Sequence, residues 1–293
     1  MLSFVDVEGV RLQVHGHRPQ APVSLAHFRE WVFKDGVRWT LFFKDSSGYL
    51  LRFPTWADFH LSLDGRVASC WPCLGVNASS VDHLFLNQVM PLALSLHGKL
   101  VFHASAVEVN QRAVAFMAPA GRGKSTLAAS FAASGYRFLS DDGLDLRIAE
   151  DQIEVRPSHP SIRLWRDSEE ALVANHALRA PPVQYSSKAR FLAGDELRFC
   201  PVPLPLHRIY FLGDTHVSRP EIEPLSPSRV VEELMRNSFL LDIDEKTVLA
   251  AHFDELVQLA GKKLYFWLNY PRKYQLLPEI RQAIIEHAGQ STL

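Results

Sequence analysis

Ala113-Val-Ala-Phe-Met117, then Ala118-Pro-Ala120-Gly121-Arg122-Gly123-Lys124-Ser125-Thr126, then an alanine-rich run closing on Gly135, then Tyr136-Arg-Phe-Leu-Ser140-Asp141-Asp142 follow one another without interruption. The order predicts a strand, a phosphate-binding loop, a helix, a second strand and an acidic pair. Small residues let the backbone from Ala120 to Thr126 curl so that several amide N–H groups point inward. Lys124 can then reach the β- and γ-phosphates of a nucleotide and Ser125 can offer its hydroxyl to magnesium. A helix that starts at the loop adds its positive dipole end. The pattern departs from G-x-x-x-x-G-K-[ST] at one place, where Ala118 replaces the first glycine and Pro119 behind it carries no N–H. Glycine-lysine-serine strings also occur in ordinary surface loops. Here the string follows an apolar run and opens a segment, Leu127 to Ser134, without a helix breaker, which is the setting a phosphate loop requires. A dinucleotide fingerprint is excluded, because it needs glycine where Thr126 stands.

A helix from Lys124 to Ser134 advances roughly 16 Å at about 1.5 Å per residue. A strand from Tyr136 to Ser140 returns a similar distance at about 3.3 Å per residue. Asp141 and Asp142 are therefore expected back beside the loop. Upstream, Leu100-Val-Phe-His103-Ala-Ser-Ala-Val-Glu-Val109 precedes Asn110-Gln111. If those two residues form a hairpin turn, paired positions sum to 221 and His103 lies opposite Ala118, at the mouth of the loop. An imidazole there is useful where protons move.

The remaining chain supplies the frame. With 293 residues, 47% apolar content and a formal net charge of −1, it has the balance of a soluble globular protein, with no sign of a nucleic-acid or membrane partner. Met1-Leu-Ser-Phe-Val lacks a basic stretch followed by an apolar one, so a cytoplasmic protein is expected. Cys70-Trp-Pro-Cys73 has a spacing used by redox and zinc sites, but Cys200 is the only other cysteine, and ordinary buried thiols are expected. Residues 1 to about 80 alternate in short apolar and polar runs, the chemistry of strands. Val81 to Gly98 suits a buried helix kinked or started by Pro91. The expected organisation is a β-rich amino-terminal domain over 1–98 and a phosphate-loop domain over 99–293. In the latter, alternating strands and helices imply an α/β sheet, with a strand at 206–212, helices at 226–237, 246–259 and 278–287, and a strand at 264–268. The proline-rich stretch 181–205, with Lys188 and Arg190, reads as a mobile segment or a solvated loop.

His103, Lys124 at 124 − 103 = 21 positions on, and Asp141-Asp142 at 141 − 124 = 17 and 142 − 124 = 18 give a spacing that resembles the catalytic domain of bacterial HPr kinase/phosphorylase. The close match covers about forty residues. The resemblance implies a domain of the HPr kinase and phosphoenolpyruvate carboxykinase type using ATP and Mg2+. It implies Asp141 as the base that takes the proton of a serine, His103 as its support, and Asp142 with Ser125 as magnesium ligands. The family carries a glutamate followed by Ile-Arg-Gly downstream, used for metal and for phosphorolysis. This chain has Ser161-Ile162-Arg163-Leu164-Trp165 there, so the acid is missing while Arg163 remains to stabilise charge. It therefore resembles more closely the HPr-kinase-related proteins found with peptide-tailoring genes, including kinases of lasso-peptide precursors.

The expected activity is that of an ATP-dependent serine kinase whose partner is a protein or peptide substrate, an HPr-like protein or a precursor peptide, with homo-oligomer formation left open. Two alternatives stand beside it: a small-molecule or carboxykinase-like phosphotransferase, and a nucleotide-binding regulatory module without turnover.

Overall fold

The computed structural model of the protein describes residues 4–33, 35–149, 152–174 and 176–290. Met1–Ser3, the start of the stretch read for a leader, lie outside the described residues. The chain divides into two compact units, Met1–Gly98 with Pro182–Ser186, and Lys99–Pro181 with Ser187–Leu293.

In the first unit the alternating runs form β1 (Phe4–Val7), β2 (Val10–Val14), β3 (Arg29–Val32), β4 (Arg38–Lys44), β5 (Gly48–Phe53), β6 (Ala57–Ser62) and β7 (Val67–Pro72). They make one sheet in the order β1-β2-β7-β6-β5-β4-β3. Phe42, Leu51, Phe53, Phe59 and Leu61 supply its fully buried side chains. The helical stretch is not continuous. α1 (Ala78–Leu84) and α2 (Met90–Leu96) are joined by a π-helical turn at Phe85–Val89. Pro91, which has no N–H to donate and crowds the preceding turn, lies in the first turn of α2, where both are tolerated. Cys70 and Cys73 are buried free thiols, and burial pushes both up from the ordinary thiol range. Gln184 and Tyr185 belong to this unit: Gln184 N–H donates to Ser80 Oγ at 2.9 Å, and Tyr185 packs against Trp39 and Trp56.

In the second unit Asn110 and Gln111 take φ of 51° and 60°, the backbone of a type I′ hairpin turn. The turn joins β9 (Ala104–Val109), which follows β8 (Leu100–Phe102), to β10 (Arg112–Met117), pairing Arg112 with Val109 and Met117 with Ala104. After β10 come α3 (Lys124–Ala132) and β11 (Phe138–Ser140). Gly135, at φ 90°, ends α3 in a left-handed cap: Tyr136 N–H donates to Phe131 O and Gly135 N–H to Ala132 O. Beyond lie β12 (Leu144–Ala149), β13 (Gln152–Arg156), β14 (Ser161–Leu164), α4 (Arg166–Leu172), β15 (Ala189–Leu192), β16 (Leu204–Leu212), β17 (Glu221–Pro224), α5 (Pro227–Asn237), α6 (Lys246–Ala260), β18 (Tyr265–Asn269) and α7 (Leu277–Gly289).

The stretch read as a mobile segment is partly ordered instead. Its residues 189–192 form β15, which pairs with β14 so that Arg163 faces Arg190. The signal was hidden by the prolines on either side, although Ala-Arg-Phe-Leu is itself compatible with a strand.

β9 is antiparallel to both β10 and β11, so β10 and β11 run the same way and α3 is the crossover between them. β10 and β18 flank β16 in parallel. Strand alternation sends Ala113, Ala115, Met117, Ile209 and Phe211 to one face, packed with Val230 and Leu234 of α5 and Leu256 of α6. Val114, Phe116, Tyr210 and Leu268 go to the other, packed with Leu127 and Phe131 of α3 and Ile280 and Ile284 of α7. Burying Leu127 and Phe131 stabilises the seating of α3 by roughly 1.5–3 kcal/mol each. Strands and helices together make this a mixed α/β protein.

Candidate active site

Because β10, β11, β16 and β18 share one direction, their carboxyl ends open on one edge of the sheet, where open α/β sheets place ligands. The segment after β10 is the stretch read from the sequence as a phosphate loop. Gly121 and Gly123 take φ of 80° and 90°, and Gly123 caps α3. A side chain at Gly123 would place its Cβ 2.7 Å from Tyr270 Oη and 3.0 Å from Arg272 Nη1, so this position requires glycine for space as well as for φ.

Lys124 is buried, and its ammonium donates to the carbonyls of Ala118 at 2.6 Å and Pro119 at 3.2 Å. Burial lowers its pKa to about 8, against the opposing pull of Asp142 and Asp141. Ser125 and Thr126 turn to different partners. Ser125 faces Asp141 and helps hold its pKa down, whereas the Thr126 hydroxyl meets Ser168 of α4 at 3.0 Å. The Arg122 side chain leaves the loop to pair with Asp214 at 3.1 Å. Ala120 and Arg122 therefore offer the loop backbone, with no described side-chain function at its centre.

Asp141 and Asp142 follow β11 directly. Asp141 Oδ1 accepts from Ser105 Oγ at 2.7 Å and Oδ2 from the Arg163 backbone N–H at 2.9 Å. Burial, then the neighbouring Asp142, raises the Asp141 pKa, and the donors from Arg163, Ser105 and Ser125 oppose the rise. Asp142 has a φ of 67°, left-handed backbone that aspartate tolerates better than most residues. That kink turns the adjacent carboxylates to different surroundings. Arg163 Nη1 lies 3.6 Å from Asp142 Oδ2. Burial pushes Asp142 up, but the cationic surroundings outweigh it and hold the carboxyl at about 2. His103 lies beside the pair, with Nδ1 3.2 Å from the Asp142 carbonyl oxygen and its ring edge-on to Phe239. Burial, then the charge of Lys124, lowers its pKa to about 4. At neutral pH the imidazole is therefore uncharged, and the charges facing Asp142 are those of Lys188, Arg163 and Lys124.

The structure thus brings together Lys124, Ser125, Asp141, Asp142, His103 and Arg163, contributed by the loop, β11, the approach to β9, and β14. Ser105 was missed in the sequence, although the 221 register places it opposite Phe116 and a lone hydroxyl among apolar strand residues was a usable signal. Arg272, which touches the loop, carried no sequence signal at all. Among the described residues no group of three or more His, Cys, Asp or Glu is arranged to hold a metal by itself. Ser125 with the two carboxylates does suit magnesium, which takes few protein ligands and completes its shell with phosphate oxygens and water.

No family model matches this chain, and no curated protein matches it. Among the solved structures that do match is the HPr(Ser) kinase/phosphatase from Coxiella burnetii. It is 12% identical, with a TM-score of 0.35, over 64% of this chain and 95% of that one. A likeness at that level assigns no residue and no reaction here. No helix among the described residues is long and apolar enough to cross a membrane.

Proposed function

We propose that this chain is an ATP- and magnesium-dependent kinase that phosphorylates a serine hydroxyl on a protein or peptide. The observation that carries the proposal is the convergence of Lys124 and Ser125, at the amino end of α3, with Asp141 and Asp142, which follow β11, close enough for both carboxylates to act on the buried Lys124 ammonium. Phosphoryl transfer asks a protein mainly for positioning and charge neutralisation, plus a carboxylate near the attacking hydroxyl. Lys124 exchanges the two loop carbonyls for phosphate oxygens. Ser125 and Asp142 would hold magnesium, which would neutralise phosphate charge there. Asp141, whose buried carboxyl has a raised proton affinity, takes the serine proton, and uncharged His103 braces the turn through the Asp142 carbonyl. Arg163 fixes Asp141 through its backbone and faces Asp142 with its side chain.

A second reading exchanges the carboxylates. Its support is that Asp141 is the carboxylate that faces Ser125, and that its oxygens already accept from Ser105 and Arg163. Asp142 would then be the base. Two variants decide between them. With Asp141 as base, Asp141→Asn retains magnesium-ATP binding and loses transfer, while Asp142→Asn weakens metal-dependent binding. The reverse pattern establishes the second reading. The activity itself is tested by incubating the protein with magnesium-ATP and flexible serine peptides and locating phosphate by mass spectrometry. Modification of small metabolites but never of peptides would overturn the peptide-kinase proposal.

A further inference from the structure

The loop that lacks its first glycine is braced from two strands away along the same edge of the sheet. Arg272, three residues beyond β18, donates from Nη1 to the Arg122 carbonyl at 2.6 Å and from Nη2 to the Gly213 carbonyl at 2.5 Å. Gly213 follows β16 directly, so one guanidinium ties the phosphate loop to the ends of two neighbouring strands. Its plane lies over the Tyr270 ring, with Cζ 3.8 Å from the ring centre, and Nη1 also reaches the Tyr270 hydroxyl. Asp214, next in the chain, holds the Arg122 side chain at 3.1 Å, so the same loop residue is gripped through both its carbonyl and its side chain.

We infer that Arg272 is a positioning residue that aims the Gly123 N–H into the phosphate cradle. The reason is peptide geometry. In a trans peptide the C=O of Arg122 and the N–H of Gly123 lie in one plane and point in opposite directions. Drawing that oxygen outward to Arg272 turns the N–H inward, toward the concave side where phosphate oxygens bind. Pro119 brings no N–H to this loop, and Ala118 stands where the usual pattern has glycine, so the orientation of each remaining donor carries more of the binding. A guanidinium does this better than an ammonium, because its planar fork fixes the direction of both bonds while its face stacks on the Tyr270 ring. The assignment rests on the nucleotide reading of this loop.

The experiment measures binding of magnesium-ATP and of inorganic tripolyphosphate to the full chain, to Arg272→Lys and to Lys124→Ala, with a thermal melt of each protein without ligand. The expected result is that Arg272→Lys loses at least about tenfold in affinity for both ligands, the size of a lost charge-assisted hydrogen bond, while its unliganded melting temperature stays near that of the wild type. Equal losses for the two ligands locate the defect at the phosphates. Arg272→Lys binding both ligands like the wild type overturns the inference, as does a loss confined to ATP, which would place Arg272 at the nucleoside. Lack of nucleotide and tripolyphosphate binding by the wild-type protein instead sinks the phosphate-site reading, a distinct outcome, and the inference falls with it. If the variant is unfolded, Tyr270→Phe provides the second arm: it keeps the ring under the guanidinium and should bind within a few-fold of the wild type, and a tenfold loss there would show that the hydroxyl, not the fork to the carbonyls, sets the loop.

Discussion

Replacing Gly123 by alanine separates what the loop needs in conformation from what it needs in space. Gly121 and Gly123 both have left-handed φ, 80° and 90°. A Cβ at Gly121 meets nothing within 4 Å, whereas one at Gly123 lies 2.7 Å from Tyr270 Oη and 3.0 Å from Arg272 Nη1. Gly121→Ala should therefore cost only the left-handed strain of a Cβ, about 1–2 kcal/mol. Gly123→Ala adds an overpacking cost of about 1–3 kcal/mol, because the obstructing atoms belong to a ring and guanidinium held by each other. For a domain of this size each kcal/mol lowers Tm by roughly 2–4 °C. Gly121→Ala should then melt about 2–8 °C below wild type and Gly123→Ala about twice as far below. The functional consequence is sharper than the melt. Relief of the clash moves the residue that caps α3 and adjoins Lys124, so magnesium-ATP affinity should fall by at least about tenfold in Gly123→Ala, roughly the effect of one lost charged hydrogen bond, and far less in Gly121→Ala. Differential scanning fluorimetry with and without magnesium-ATP reads both quantities. Equal behaviour of the two variants would refute the reasoning from space.

Three further outcomes are expected. Nucleotide affinity should decline above about pH 8, because the free protein's Lys124 ammonium has its pKa lowered to that value and only its charged form pairs with phosphate; titrations from pH 6 to 9.5 check this, and a flat profile contradicts it. Ser105→Ala removes a donor to buried Asp141, which should destabilise the protein by about 1.5–3 kcal/mol and shift the acidic limb of the pH–rate profile upward, since the ionised carboxylate loses support. Phosphate added to a phosphorylated product should release little pyrophosphate, because Ser161, bonded to His159 Nδ1 at 2.9 Å, offers no carboxylate for the reverse reaction; robust release would contradict this.

Much of the site was legible because it is local in sequence. The loop, α3 and the acidic pair lie within thirty residues, and each step has a strong physical marker: glycines for positive φ, an alanine-rich helix, a Gly135 cap and two aspartates after an apolar strand. The hairpin was legible from Asn110-Gln111 alone, since a two-residue turn fixes the whole register of β9 against β10. What could not be read depends on contacts over long separations. Arg272 meets the loop 150 residues upstream, and β15 pairs with β14 across proline-rich chain; Arg163 was named through the family resemblance, but its backbone bond to Asp141 follows only from the path of β14. The π-helical turn before Pro91 was likewise beyond periodicity, which sees an apolar stretch and not how the proline's missing donor is accommodated.

Gly121 to Thr126 and the Asp141-Asp142 pair are proposed to form one magnesium-nucleotide site. Calorimetric titration of the full chain with ATP, run with magnesium and with a chelator in its place, tests it most directly when Lys124→Ala is titrated alongside. The expected result is saturable binding to the wild type that weakens without magnesium and disappears in Lys124→Ala. Wild-type binding that ignores both magnesium and Lys124, or no binding by the wild type at all, would contradict it.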